Sequence, residues 1–149
     1  MKGIPNKPLI GILNALRVAY SSGYLESIQE LAHADIFSDF LKMANHFLEN
    51  GYKDPAAVIS GSVLEDHLRK LAGKSAIDIV KPDGSPKKAD ALNNELAAKL
   101  AYTKLDRKNA TAWLDLRNKA AHGHYQEYTK DQVSLMLQSV QNFISRLPA

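Results

Sequence analysis

The sequence predicts an all-α protein, a helical bundle of about five to six helices, and three observations carry that expectation. Apolar residues recur at three- and four-residue spacing through most of the chain, and the one alternating stretch, Ile77–Asp78–Ile79, is too short for a strand. Helix punctuation is frequent: Asp54-Pro55 and Thr129-Lys130-Asp131-Gln132 read as starts, and Gly51 and Gly123 as stops. The composition, 45% hydrophobic and 23% charged over 149 residues, is that of one ordinary globular domain spanning residues 1–149.

Met1 to Lys7 reads as a frayed arm. Pro8 suits a first helical turn, where a missing N–H is not needed. Ile12, Leu13, Leu16, Ala19 and Tyr20 continue that helix towards Ser22, and Ser21-Ser22-Gly23 marks a break. From Tyr24 to Asn50 a long helix follows, with Leu25, Ile28, Ala32, Ile36, Phe40, Met43 and Phe47 as its expected buried stripe. Its His33 and His46 receive no role. At Asp54-Pro55 a capping carboxylate precedes a proline in the first turn, and Ala57, Val58, Gly61, Leu64, Leu68, Leu71 and Ala72 give the next stripe. Small residues from Ala56 to Ser62 let another helix approach closely, which makes this the expected central helix. Glu65 and Arg69, four apart in the favoured order, form an ion pair that either faces solvent or lines a functional cleft.

Residues 73–88 form a basic loop carrying Lys81, Lys87 and Lys88, with turn chemistry at Pro82-Asp83-Gly84-Ser85-Pro86. Ser85-Pro86 is the expected opening of a helix striped by Ala89, Leu92, Leu96 and Leu100. After a short connection, Asp106 is the expected N-cap of a helix whose stripe is Trp113, Leu116 and Ala120 and whose stop is Gly123. Thr129 and Gln132 form a capping box, flanked by Tyr128 and Val133 as a hydrophobic staple. Val133, Met136, Val140, Phe143, Ile144 and Leu147 face the core from the closing helix, and Pro148 ends it.

Several function classes drop out at this level. There is no cysteine, hence no disulfide, thiol chemistry or Cys-ligated zinc. No apolar run approaches the ~20 residues of a membrane span, and the opening MKGIPNKPLIGIL reads as a helix start and not a signal peptide, so a cytoplasmic protein is expected. Glycine-rich phosphate loops are absent, and His122-Gly123-His124 lacks the further ligands a metal site needs. A net charge of +3 is compatible with a polyanionic partner without demanding one.

Chemistry concentrates at the end of the fifth periodic segment, where Arg117, Asn118, Lys119 and His122 crowd the last turns before Gly123. Asn118 and His122 share a face, whereas Arg117 and His122 stand roughly 140° apart on an ideal helix. The two converge only through the length of Arg117, through fraying near Gly123, or across an interface with a second copy. RNA cleavage by its own 2′-hydroxyl needs a group titrating near neutrality and a cation on the phosphate, which imidazole and guanidinium supply. Lys119, His124 and Tyr125 are placed to meet the sugar–phosphate chain or a base, and Arg69 belongs to the same RNA-binding set if its cleft is shared. The plainer reading is that basic residues simply favour the last turn of a helix through its dipole, with Asp115 pairing to Lys119. Trp113 reads as a core anchor.

Arg117-Asn118-Lys119-Ala120-Ala121-His122 resembles the Arg-x4-6-His signature of the HEPN domains, all-helical modules of prokaryotic toxin, defence and RNA-processing systems. The likeness extends over Ser38–Lys74, read as the preceding helical hairpin, and Thr111–Val133, read as the motif helix with its following turn. It implies Arg117 and His122 as an active pair supported by Asn118. It further implies a homodimer with a composite, metal-independent endoribonuclease site that needs no cofactor and leaves 2′,3′-cyclic phosphate ends. A toxin or phage-defence effector acting on RNA, with an antitoxin or nucleotidyltransferase partner, fits that class. The alternative is a non-catalytic helical module that binds a nucleotide, RNA or a protein.

Overall fold

The computed structural model describes residues 9–14, 17 and 23–149, the side chains of residues 24–26 excepted. Residues 9–14 and 17 are helical, as the spacing there predicts; the expected arm at Met1–Lys7 and the serines of the expected break lie outside the described residues. The chain forms two compact units, Met1–His33 and Ala34–Ala149. Five α-helices follow in order: α1 (Tyr24–Glu49), α2 (Lys53–Lys74), α3 (Ala89–Ala98), α4 (Lys104–Ala121) and α5 (Lys130–Arg146), with a 3-10 turn at Tyr125–Glu127. No strand is present among the described residues, and the protein is an all-α helical bundle.

α2 is the central helix, packed by α3, α4 and α5. Its small residues Ala56, Ala57, Ser60 and Gly61 are buried, followed by Val63, Leu64, Leu68, Leu71 and Ala72. α5 buries the face its sequence displays, Val133, Met136, Val140, Phe143 and Ile144. Phe143 takes Tyr102 and Trp113 edge-on at 5.3 and 5.8 Å between ring centroids, tying α5 to α4 and to the turn before it. The Thr129 box forms as expected, its hydroxyl accepting from Gln132 N at 3.2 Å and its N–H donating to the Gln132 side chain at 2.8 Å. Gly51 and Gly123 stop their helices with φ of 85° and 81°, a region that favours glycine.

Several elements differ from expectation. α1 turns Phe37, Leu41, Ala44 and Leu48 into the core, while Ile28, Ile36, Phe40 and Met43 of the expected stripe stay exposed. α1 has two neighbouring apolar faces, and its neighbours cover the other one. α2 begins at Lys53 with Tyr52 as N-cap and no side-chain cap; the Asp54 carboxylate instead accepts from the Tyr128 hydroxyl. α3 opens at Ala89 and not at Ser85-Pro86, because Val80 and Pro86 pair in an isolated bridge that closes the Lys81–Ser85 turn. Leu100 lies beyond α3 in a left-handed conformation, φ 61°, and is exposed, so it takes no part in the stripe. Thr103, not Asp106, caps α4; Asp106 is the third residue of a reciprocal capping box and also receives Arg146 at 2.9 Å. The buried face of α4 is Asp106, Ala110, Leu114 and Ala120, leaving Trp113 and Leu116 half-buried at its edge.

Asn93 is a fully buried polar residue at the α3–α4 crossing. Its amide donates to Arg107 O at 2.9 Å and to the Thr111 hydroxyl at 3.1 Å, and its carbonyl accepts from Tyr102 OH at 2.6 Å. A buried network satisfied at every member fixes one packing of the helices. Asn93→Ala is expected to cost about 2–3 kcal/mol, because it removes the side-chain bonds to Arg107 O and Thr111, leaves the Tyr102 hydroxyl only its 3.3 Å bond to the backbone carbonyl at 93, and opens a void. Urea unfolding should show a lower midpoint with an unchanged slope.

Candidate functional site at the crossing of α2 and α4

α4 crosses α2 where α2 has no side chain. The stem of Arg117 lies against Gly61, and a methyl group there would overlap the Arg117 Cβ and Cγ atoms. The clustering of Ala57, Ser60 and Gly61 therefore does more than bring backbones together. It opens a channel along which a long cationic side chain runs between two helices, its aliphatic part buried and its head nearer solvent.

At the far end of that channel stands Glu65, one turn along α2. Arg117 Nη2 donates to Glu65 Oε2 at 2.5 Å, and Arg69 Nη2 donates to Glu65 Oε1 at 2.9 Å. Arg69 also donates to the Lys87 carbonyl at 2.8 Å, which pins the loop before α3 to the same cluster. All three side chains are about a quarter exposed, so the charges are partly desolvated. Burial alone would raise the Glu65 carboxyl, but the hydrogen bond from Arg69 and the charge and hydrogen bond of Arg117 outweigh it and hold it below 4.5. One carboxylate between two guanidiniums leaves a net positive cluster. Each guanidinium carries five N–H groups, so donors remain after the Glu65 bonds are made. Arg117 Nε is buried with no hydrogen-bond partner among the described residues.

His122 lies at the other end of the motif, as the C-cap of α4. Its backbone N–H donates to Asn118 O at 3.0 Å, and that of His124 donates to Lys119 O at 2.8 Å, closing the helix around Gly123. The His122 and Asn118 side chains are exposed, and neither makes a hydrogen bond among the described residues. No bond joins His122 to Arg117 within the chain; Arg117 faces α2, and His122 stands on the open side of α4. Lys119 pairs with Asp115 at 3.3 Å, as the plainer reading of this helix end expects. Trp113 and Leu135 border two adjoining clefts of about 260 and 270 Å³ between α4 and α5, the second of which Lys119 also lines.

The segment after the helix is anchored on α2. Lys53 Nζ donates to Tyr125 O at 2.5 Å and sits 3.9 Å over the Tyr128 ring, whose hydroxyl bonds Asp54. His124 and Tyr125 remain exposed on this tethered turn, with His124 Nδ1 3.8 Å from Glu127. Of the residues singled out from the sequence, Arg69 and Arg117 are thus brought together, while Asn118, His122, His124 and Tyr125 are gathered separately at the end of α4. Glu65, which bridges the two arginines, and Gly61, which makes room for one of them, complete the cluster. The sequence signals were the Glu65–Arg69 spacing and the small-residue run, but neither reveals that Arg117 is their partner. No group of three or more His, Cys, Asp or Glu that could hold a metal occurs among the described residues.

The fold and this cluster define an all-α bundle with a paired-arginine, single-carboxylate crossing beside an open helix end. No family model, curated protein or solved structure matches the chain.

Gly61→Ala is expected to push Arg117 off Glu65 and cost about 1–3 kcal/mol of stability by overpacking, measurable as a lowered thermal midpoint. The Glu65 contribution has a defined pH dependence. Its carboxyl is depressed in the folded state, so the unfolded chain protonates first as pH falls. The stabilisation is complete above about 4.5 and is lost as pH drops through the lower folded value. Glu65→Gln should therefore lower the melting temperature at neutral pH and flatten its decline below about pH 4.5 relative to the parent.

Proposed function

We propose that the protein is a HEPN-type, metal-independent endoribonuclease that works as a homodimer, with Arg117 and His122 as the active pair. The observation that carries this reading is the presentation of Arg117. A half-buried guanidinium is fixed by Glu65 beside a second arginine, and the same helix ends in an exposed imidazole without an internal partner. Preorganised, partly desolvated guanidinium donors favour a phosphate on which negative charge is building. In the reaction, His122 takes the 2′-hydroxyl proton, the 2′-oxygen attacks the adjacent phosphorus, and the bond to the 5′-oxygen breaks. The leaving oxygen is protonated from solvent or from the second imidazole, and a 2′,3′-cyclic phosphate remains. Arg117 balances the charge on the phosphate, and Asn118 steadies the imidazole from the same helix face.

Arg69, Lys119, His124 and Tyr125 supply the RNA contacts around this pair. Because Arg117 turns to Glu65 on α2 while His122 caps the end of α4 and shares no bond with it, each site draws them together from two copies. A cytoplasmic toxin or phage-defence effector, held in check by an antitoxin or a nucleotidyltransferase-type partner, suits such an activity. No helix among the described residues is long and apolar enough to cross a membrane.

A second reading is favoured by one observation: Arg117 already donates to Glu65 within the chain and shares no bond with His122. On that reading the protein is a non-catalytic helical module that binds RNA, a nucleotide or a protein. The two separate on one assay, incubation of the pure protein with single-stranded RNA in EDTA. The ribonuclease reading expects cyclic-phosphate products, and a loss of at least about a hundredfold in Arg117→Ala and in His122→Ala. Saturable binding without cleavage, or cleavage that survives both substitutions, overturns it.

A further inference from the structure

α1 carries an apolar face that nothing among the described residues covers. Ile36, Phe40 and Met43 are 51, 46 and 48% exposed, beside the half-buried Phe47 and next to the face that packs into the core. Apolar side chains clustered in this way on one element mark an interaction surface more often than scattered exposure does.

The polar flank of this face says what fits it. Asp35, Asp39, Lys42 and His46 are all exposed along the side away from the core, and none makes an ion pair among the described residues. Their order is segregated, two acids and then two bases. Asp35 and Asp39 are four apart, so within one helix two acids are neighbours; only Lys42, three residues beyond Asp39, stands near enough on the same helix to offset them. An antiparallel copy of the same helix reverses that. About a two-fold axis between positions 40 and 41, Asp39 lies level with Lys42 of the second copy and Asp35 with its His46. In an antiparallel pair a given flank faces the same flank of its mate, so these partners lie on the same side of the seam.

The apolar register agrees with the charges. Under this axis Phe40 of the second copy comes level with position 41, its Met43 with position 38 and its Ile36 with position 45. Own side chains at 36, 40 and 43 thus alternate with incoming ones at 38, 41 and 45, which is the interleaving that helix packing requires. The apolar pattern is compatible with the register that the charges select.

We propose that two copies of the chain associate through antiparallel α1 helices, with Phe40 at the axis and the Asp39–Lys42 and Asp35–His46 pairs along one edge. This surface is assigned from α1 alone and holds whether or not the protein cuts RNA; its readout is mass, with no RNA present.

The test is a charge swap on the full chain, followed by sedimentation across a concentration series. The parent should reach twice the chain mass of 16.4 kDa. Asp39→Lys alone and Lys42→Asp alone each set like charge against like twice by symmetry, and should weaken association by about tenfold or more. The double variant should recover the parental association. As the chain has no cysteine, Phe40→Cys should also oxidise to a disulfide-linked dimer, while Leu105→Cys, exposed on α4, should not. A parent that stays monomeric overturns the proposal. So does dissociation by both single changes without rescue by the swap, and so does a dimer that neither single change affects.

Discussion

The passage of Arg117 across Gly61 is the constraint on which the rest of the site depends. A guanidinium on the inward face of α4 must travel beside a neighbouring helix before it can reach an anion. It does so because α2 offers a glycine where any other residue would place a side chain. The end point is Glu65, which also holds Arg69, which in turn holds the backbone of the loop before α3. Two helices and a loop are therefore fastened by one carboxylate. The same geometry leaves two guanidinium heads partly exposed on either side of the Glu65 carboxylate, with one positive charge in excess.

The helix end works by different physics. His122 is placed by backbone termination: the last carbonyls of α4 take the amides of His122 and His124, and Gly123 supplies the left-handed turn. Its side chain owes nothing to the core. Lys53, Asp54 and Tyr128 then hold the following turn against the start of α2, which keeps His124 and Tyr125 near that end of the molecule. A rigid arginine and a freely presented histidine on different faces of one helix are suited to meeting across two molecules. The uncovered face of α1 offers one way for two molecules to come together.

Much of the architecture was legible in the chain, and its failures have identifiable causes. α5 was read correctly because it has one apolar face and a reciprocal cap, so periodicity and punctuation agree. α1 was read with the right extent and the wrong buried side. Ile36, Phe40 and Met43 satisfy the three-four spacing as well as Phe37, Leu41, Ala44 and Leu48 do, and only the neighbours decide which set is covered. Asp54 and Asp106 read as caps because a carboxylate near a helix start is a local signal. Both are drawn into tertiary pairs instead, with Tyr128 and Arg146. The Thr103–Asp106 box was present in the sequence, three residues apart, and outcompetes Asp106 acting alone. At the site, spacing placed Arg117 and His122 on different faces and left Glu65–Arg69 between a surface pair and a cleft. The partner that decides between these lies 52 positions further on, at Arg117, a separation that no helical period encodes.

The central claim is that the guanidinium fixed on Glu65 and the imidazole closing α4 engage one phosphate chain. It is tested most directly by titrating isotope-labelled protein with an uncleavable 2′-deoxy oligonucleotide while following the Arg117 Nε–H and His122 ring resonances. Both should shift saturably with a common midpoint, while those of Arg107 and Arg146 stay in place. Saturable binding that moves only one of the two, or neither, contradicts it.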